Sequence, residues 1–224
     1  MLKSIIGILI LLISSLTFAS ELASPKLFFE YSWLYDQNCA VTEERKFDPA
    51  WASEAVEKTQ NFTDIWEKNG PIFFGKVFEV FGFGFSRKEL TATLSVCRAP
   101  SYSNPLVLNV TRFLKSYMQD KPVRSDDAFA DLVFHELLHT WVSENVNFPT
   151  PLYNKYQDEE RIVRNHLHLM AIQKYIYTAL NRDDLVKLIA LQYSTMPMPG
   201  YSRAWKIVTE IEGVEPFIEE VKAK

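Results

Sequence analysis

The spacing of apolar positions changes character along the chain. An apolar run over residues 5–18 is broken only by small or hydroxyl side chains. Residues 27–35 are dense in aromatics and read as a strand. Asp48, a good N-cap, precedes Pro49, which suits the first helical position, so a helix is expected from there through Trp66. Asn69-Gly70-Pro71 is expected to stop it. Residues 73–80 continue apolar, and Phe81-Gly82-Phe83-Gly84-Phe85 alternates large and absent side chains, as a strand does where another backbone comes close. Residues 91–97, β-branched with alternating polarity, and 106–110 read as strands flanking a loop at 100–105. From Ser125 the pattern turns helical. One helix is expected to open at Asp126 and Asp127 and run to about residue 144, ended by Pro149 and Pro151. Others are expected over 157–181, 182–193 and 202–212, with a loop at 196–200.

Strands in the first half and helices in the second, without strand–helix alternation, predict an α+β fold. Helices should pack on one side of a small mixed or antiparallel sheet. The length of 224 residues suits one domain. Residues 1–19 read as a secretory signal rather than structure: Lys3 precedes the apolar run, and Thr17-Phe18-Ala19 offers small residues, Thr17 and Ala19, at the two positions a signal peptidase inspects before a cleavage after Ala19. The run is shorter than the roughly 20 residues that span a bilayer. The expectation is a periplasmic or secreted protein with no stable membrane insertion after cleavage, and a single domain over 20–224. Cleavage moves the formal net charge from −4 to −5, because it removes one lysine and no acid. With no basic cluster, nothing favours nucleic acid as a partner. Cys39 and Cys97, in an oxidising compartment, either pair or stand as two buried thiols. Two glycosylation sequons, at Asn61 and Asn109, matter only in a eukaryotic secretory pathway.

The chemistry concentrates in His135-Glu136-Leu137-Leu138-His139. Histidines at i and i+4 on a helix share one face and can reach one metal ion, while the adjacent glutamate points at metal-bound water. Leu132-Val133-Phe134 precede the motif and Trp141-Val142 follow, with no Pro or Gly between them. That is the composition of a helix buried in a core. Residues 132–142 resemble the active-site helix of zincin metallopeptidases. The resemblance implies Zn2+ as cofactor, His135 and His139 as ligands, Glu136 as general base, and a third ligand from downstream. It further implies hydrolysis of peptide bonds in a peptide or protein substrate.

Catalytic zinc takes three protein ligands and a water. The Gly and His that metzincins carry just after the motif are absent from Ser143-Glu144-Asn145-Val146-Asn147. Gluzincins take a glutamate from the next long helix, and Glu159 and Glu160 stand at about that distance. The Asn before that glutamate and the acid four residues after it are missing. On the helix expected over 157–181, Glu159, Val163, His166, Met170, Gln173 and Tyr177 fall on one stripe. Arg161, Arg164, His168 and Lys174 fall on the opposite face, expected to be solvated. The third ligand is therefore expected to be His166 or Glu159, with Glu160 behind them and the unused one touching substrate or a ligand.

Tyr201 and Arg203 offer donors for an oxyanion, but a plain amphipathic helix explains them equally. Residues 81–85 either border a cleft that takes an extended peptide or form a buried strand. A second functional class is a catalytically silent zincin-fold protein for binding or envelope assembly, which has no reason to keep Glu136 beside a ligand. No long inhibitory propeptide is expected between the signal and the first strand.

Overall fold

The computed structural model describes residues 23–44, 47–196 and 198–223. The expected signal sequence and Pro197 of the expected 196–200 loop lie outside them. The fold is α+β, with a four-stranded mixed sheet in the order β1-β2-β4-β3: β1 (Lys26–Tyr31), β2 (Glu89–Ser95), β3 (Tyr102–Ser103) and β4 (Leu106–Asn109). β1 runs parallel to β2 and β2 parallel to β4, while β3 turns back antiparallel to β4.

Three helices connect β1 to β2. α1 (Trp33–Thr42) follows β1 directly, so the strand expected over 27–35 ends four residues early. Ser32 turns the chain, its hydroxyl accepting from Tyr35 N at 3.3 Å. Asp36 then docks α1 on the sheet, accepting from Ser95 Oγ at 2.6 Å and Val96 N at 2.8 Å. Cys39 and Cys97 form a disulfide, with Cα atoms 6.0 Å apart.

Asp48 caps α2 (Pro49–Glu57) as expected, accepting from Ala50 N at 3.0 Å. The single helix expected to run from Asp48 to Trp66 is in fact two. The second, α3 (Thr59–Phe81), continues straight through Asn69-Gly70-Pro71. A proline there costs about 3 kcal/mol in an isolated helix, but the flanking turns bury Phe62, Trp66, Phe73, Phe74 and Val77 almost completely. Gly70 lies flat on the Trp66 ring, where a Cβ would overlap it. Tertiary burial outweighs the local stop signal. α3 ends at Gly82, whose φ of 76° is left-handed.

Residues 83–88 form no strand. The Phe83 carbonyl accepts from Trp141 Nε1 at 3.2 Å and the Gly84 carbonyl from Asn145 Nδ2 at 3.0 Å. Backbone that a strand would pair is instead used to hold the helix carrying the histidine motif. The strand expected over residues 81–85 is corrected accordingly, since the Phe83 and Gly84 carbonyls are taken by α-helical side chains rather than by a neighbouring strand.

After a short helix α4 (Lys115–Met118) comes α5 (Asp126–Asn145), the spine of the molecule. Ser125 caps it, accepting from Ala128 N at 3.2 Å, and Asp126 and Asp127 complement the positive end of its dipole. α5 is buried on nearly every side. Phe129 stacks on Phe62 at 4.4 Å and meets Phe29 of the sheet at 6.0 Å. One turn on, Phe134 contacts Phe73, Phe74 and Tyr177 at 5.1, 5.0 and 5.5 Å.

The remaining helices are α6 (Pro151–Lys155), α7 (Arg161–Ala179), α8 (Asp183–Thr195), α9 (Pro199–Lys206), which runs into a π turn at Ile207–Ile211, and α10 (Glu215–Lys222). α10 lies beyond the last helix expected and covers the outer face of α7 with Phe217, Ile218 and Val221. Among the described residues no helix is long and apolar enough to cross a membrane.

Candidate metal centre

α5 brings His135 and His139 to one face, as the i, i+4 spacing requires, and the side-by-side packing of α7 adds His166. Ring centroids lie 5.0 Å apart for His135–His139, 5.3 Å for His135–His166 and 4.8 Å for His139–His166. One nitrogen from each ring lies within 4.8 Å of the others. This buried three-histidine cluster could hold a metal ion.

The outward nitrogens of His135 and His166 are tied down, which settles how those two rings are turned. The Tyr193 hydroxyl donates to Gln173 Oε1 at 2.6 Å, so its oxygen is left to accept from His135 Nδ1–H at 2.9 Å. Gln173 Nε2 donates to Asp131 Oδ1 at 2.6 Å, and the Tyr177 hydroxyl donates to the same oxygen at 2.8 Å. His166 Nδ1 donates to the Ile162 carbonyl at 2.6 Å, leaving its buried Nε2 without a partner. A buried polar atom with no partner costs about 1–3 kcal/mol, and metal coordination removes that cost. Outer acceptors on ligating imidazoles are the usual support of such sites.

The electrostatics suit a cation's ligands. Burial holds all three imidazoles below their ordinary value, His139 down to about 3 with His166 adding to the effect. They are therefore neutral at pH 7, the form that coordinates. Burial also pushes the Glu136 carboxyl up to about 8 and Asp131 up to about 6, the latter against the pull of Tyr177, Arg124 and Gln173.

Glu136 faces a cavity of about 380 Å³ that His135, Tyr193 and Tyr201 also line. Tyr201 reaches the site from the start of α9, its ring 4.3 Å from His166 and 6.3 Å from His135. Gly200 makes that approach feasible, because a Cβ there would overlap the Ile162 side chain of α7.

Two expectations are corrected. Glu159 does not lie on the inward stripe, since α7 begins only at Arg161 and the expected helical phase does not extend back to it. It pairs instead with Arg203, at 2.8 Å to Nε and 2.5 Å to Nη2. That contact occupies Arg203 away from the cavity, while Glu160 sits exposed at the N-cap of α7. His168, expected in solvent, is buried under α10, where Nε2 meets Glu220 Oε2 at 2.8 Å and Thr150 Oγ1 at 3.2 Å. Tyr193 had no sequence signal beyond a place near the end of a helix. Gln173 had one, seven residues past His166 on the same stripe.

Compared with protein-family models, curated proteins and solved structures, the chain matches none.

Proposed function

We propose that the protein is an exported zinc-dependent peptidase, with His135, His139 and His166 as metal ligands and Glu136 as general base. The observation that carries the reading is the partnerless, buried Nε2 of His166 facing two histidines of an His-Glu-x-x-His helix. An all-imidazole donor set suits zinc among the borderline metals, and a neutral histidine triad with a neighbouring carboxyl on a cleft suits hydrolysis. Bound zinc would supply Lewis acidity and bring a water's pKa down to about 7.

The chain's own groups do the rest. Glu136, on the cleft wall, takes the proton of the attacking water on its carboxylate and returns it to the leaving amine. Tyr201, held protonated because burial and the neighbouring Glu136 push its hydroxyl up to about 12, donates to the oxygen that gains charge. The Asp131-Gln173-Tyr193 chain fixes the His135 ring. The Cys39–Cys97 disulfide supports an oxidising compartment, periplasmic or extracellular.

Elemental analysis of purified protein and hydrolysis of a mixed peptide pool test the reading. About one zinc per chain is expected, lost in His135→Ala and His166→Ala. In Glu136→Gln zinc is retained and hydrolysis falls by at least a hundredfold, on the order of a general base's contribution. A zinc-free native protein, or full hydrolysis by Glu136→Gln, would refute it.

A further inference from the structure

The cavity beside Glu136 has a charge pattern that peptide hydrolysis alone does not require. Arg98, Arg112 and Arg124 line it, and Glu136 is the sole acidic side chain on its wall among the described residues. This concentration of positive charge sits in a chain whose formal net charge is −4. Arg98 and Arg124 come from separate loops and Arg112 from a short 3-10 turn at Thr111–Phe113, and the Arg98 and Arg124 side chains each rest against a ring.

Arg98 directly follows the disulfide-bonded Cys97 and has a φ of 65°, a left-handed backbone that a non-glycine residue adopts only under constraint. Its guanidinium lies 5.7 Å from the Tyr117 ring. Arg112 and Arg124 are neighbours through the backbone, Arg124 N donating to the Arg112 carbonyl at 2.9 Å. The Arg124 guanidinium stacks 5.6 Å from the Phe113 ring, and its Nη2 donates to Gln192 Oε1. Burial lowers the pKa of Arg124, Asp131 opposes this, and Arg112 lowers it further. Among the described residues neither Arg112 nor Arg124 forms an ion pair.

Like charges gathered in a cavity repel, and a guanidinium presents a planar fork that matches a carboxylate bidentately. We propose that this arginine-lined cavity seats a carboxylate of the substrate, so that the protein selects acidic peptides. The inference rests on the peptidase reading and gives it a substrate class. The volume of about 380 Å³ is enough for one side chain or a chain end beside the reacting peptide unit. The carboxylate belongs either to an Asp or Glu side chain or to the free C-terminus of the peptide, and the two sources are separable.

The test uses the full chain stripped of metal, so that a carboxylate cannot bind through the ion. Four probes are titrated calorimetrically: N-acetyl-Ala-Glu and N-acetyl-Ala-Gln, each as free acid and as C-terminal amide. The uncharged Ala-Gln amide is expected to bind at least about tenfold more weakly than the best carboxylate probe. Arg112→Gln, at an exposed position, is expected to remove that preference with an unchanged melting temperature; Arg124→Gln, where it folds, is expected to do the same. Stronger binding of the Ala-Glu amide than of the Ala-Gln acid assigns the side chain as the source, and the reverse order assigns the C-terminus; either upholds the proposal. Equal binding of the uncharged probe, or a preference that survives Arg112→Gln, overturns it. Hydrolysis of the same probes by zinc-loaded protein reports separately on the peptidase reading. Preference without hydrolysis sinks that reading and keeps the carboxylate cavity, while hydrolysis without preference does the opposite.

Discussion

His135 meets two demands through its two ring nitrogens. Nδ1 donates to Tyr193, and Nε2 is thereby turned toward His139 and His166. Removing the acceptor frees the ring without touching a ligand. Tyr193→Phe should therefore weaken zinc binding by roughly tenfold to a hundredfold, measured by competition with a chromophoric chelator, while the far-ultraviolet circular dichroism stays native. Glu136 makes a prediction with a pH sign. Without metal its carboxyl is pushed up to about 8 and the three imidazoles are held down, so at pH 7 the histidines are neutral and the glutamate is mostly protonated. A cation alongside lowers a carboxyl pKa. Zinc binding at pH 7 should then release about one proton more from the native protein than from Glu136→Gln. Calorimetry in buffers of different ionisation enthalpy measures it, and the difference should vanish near pH 9, where Glu136 is already ionised.

At the scale of elements, the site is the meeting of α5, α7, α8 and α9. α5 was legible as a helix because its N-cap, acidic first turn and uninterrupted apolar residues agree. α7 was legible in its middle, where His166, Met170, Gln173 and Tyr177 do share a buried stripe. Its start was not, and Glu159 was misplaced with it. α9 depends on a contact that no periodicity reveals, the seat of Gly200 against Ile162. Ile is β-branched and cannot swing away easily. Gly200→Ala should cost about 1–3 kcal/mol by overpacking, seen in chemical denaturation, and should shift Tyr201 off His166. Hydrolysis should fall while zinc content changes little. α3 shows the opposite failure of local signals, since Asn69-Gly70-Pro71 would end a solvent-exposed helix but here lies between buried aromatic turns.

For the whole molecule, the disulfide staples the first helix to the sheet strand that leads into the cavity. Cys39 and Cys97 are 58 residues apart, and closing a loop of that length removes about 4 kcal/mol of unfolded-state entropy. Cys39→Ser with Cys97→Ser should lower stability by roughly that amount in urea. Loss should show first at the Arg98 end of the cavity, measured as faster amide exchange there than in α5.

The sequence by itself determined the α+β class, the buried helix, and the pairing of His135 with His139, because these depend on propensity, capping and spacing within one segment. The sheet order, the covering of His168 by α10, the meeting of His166 with the motif and the gathering of Arg98, Arg112 and Arg124 needed the tertiary structure. Each depends on which faces of distant segments pack together. That is decided by shape and burial summed over the whole core, which no local pattern encodes.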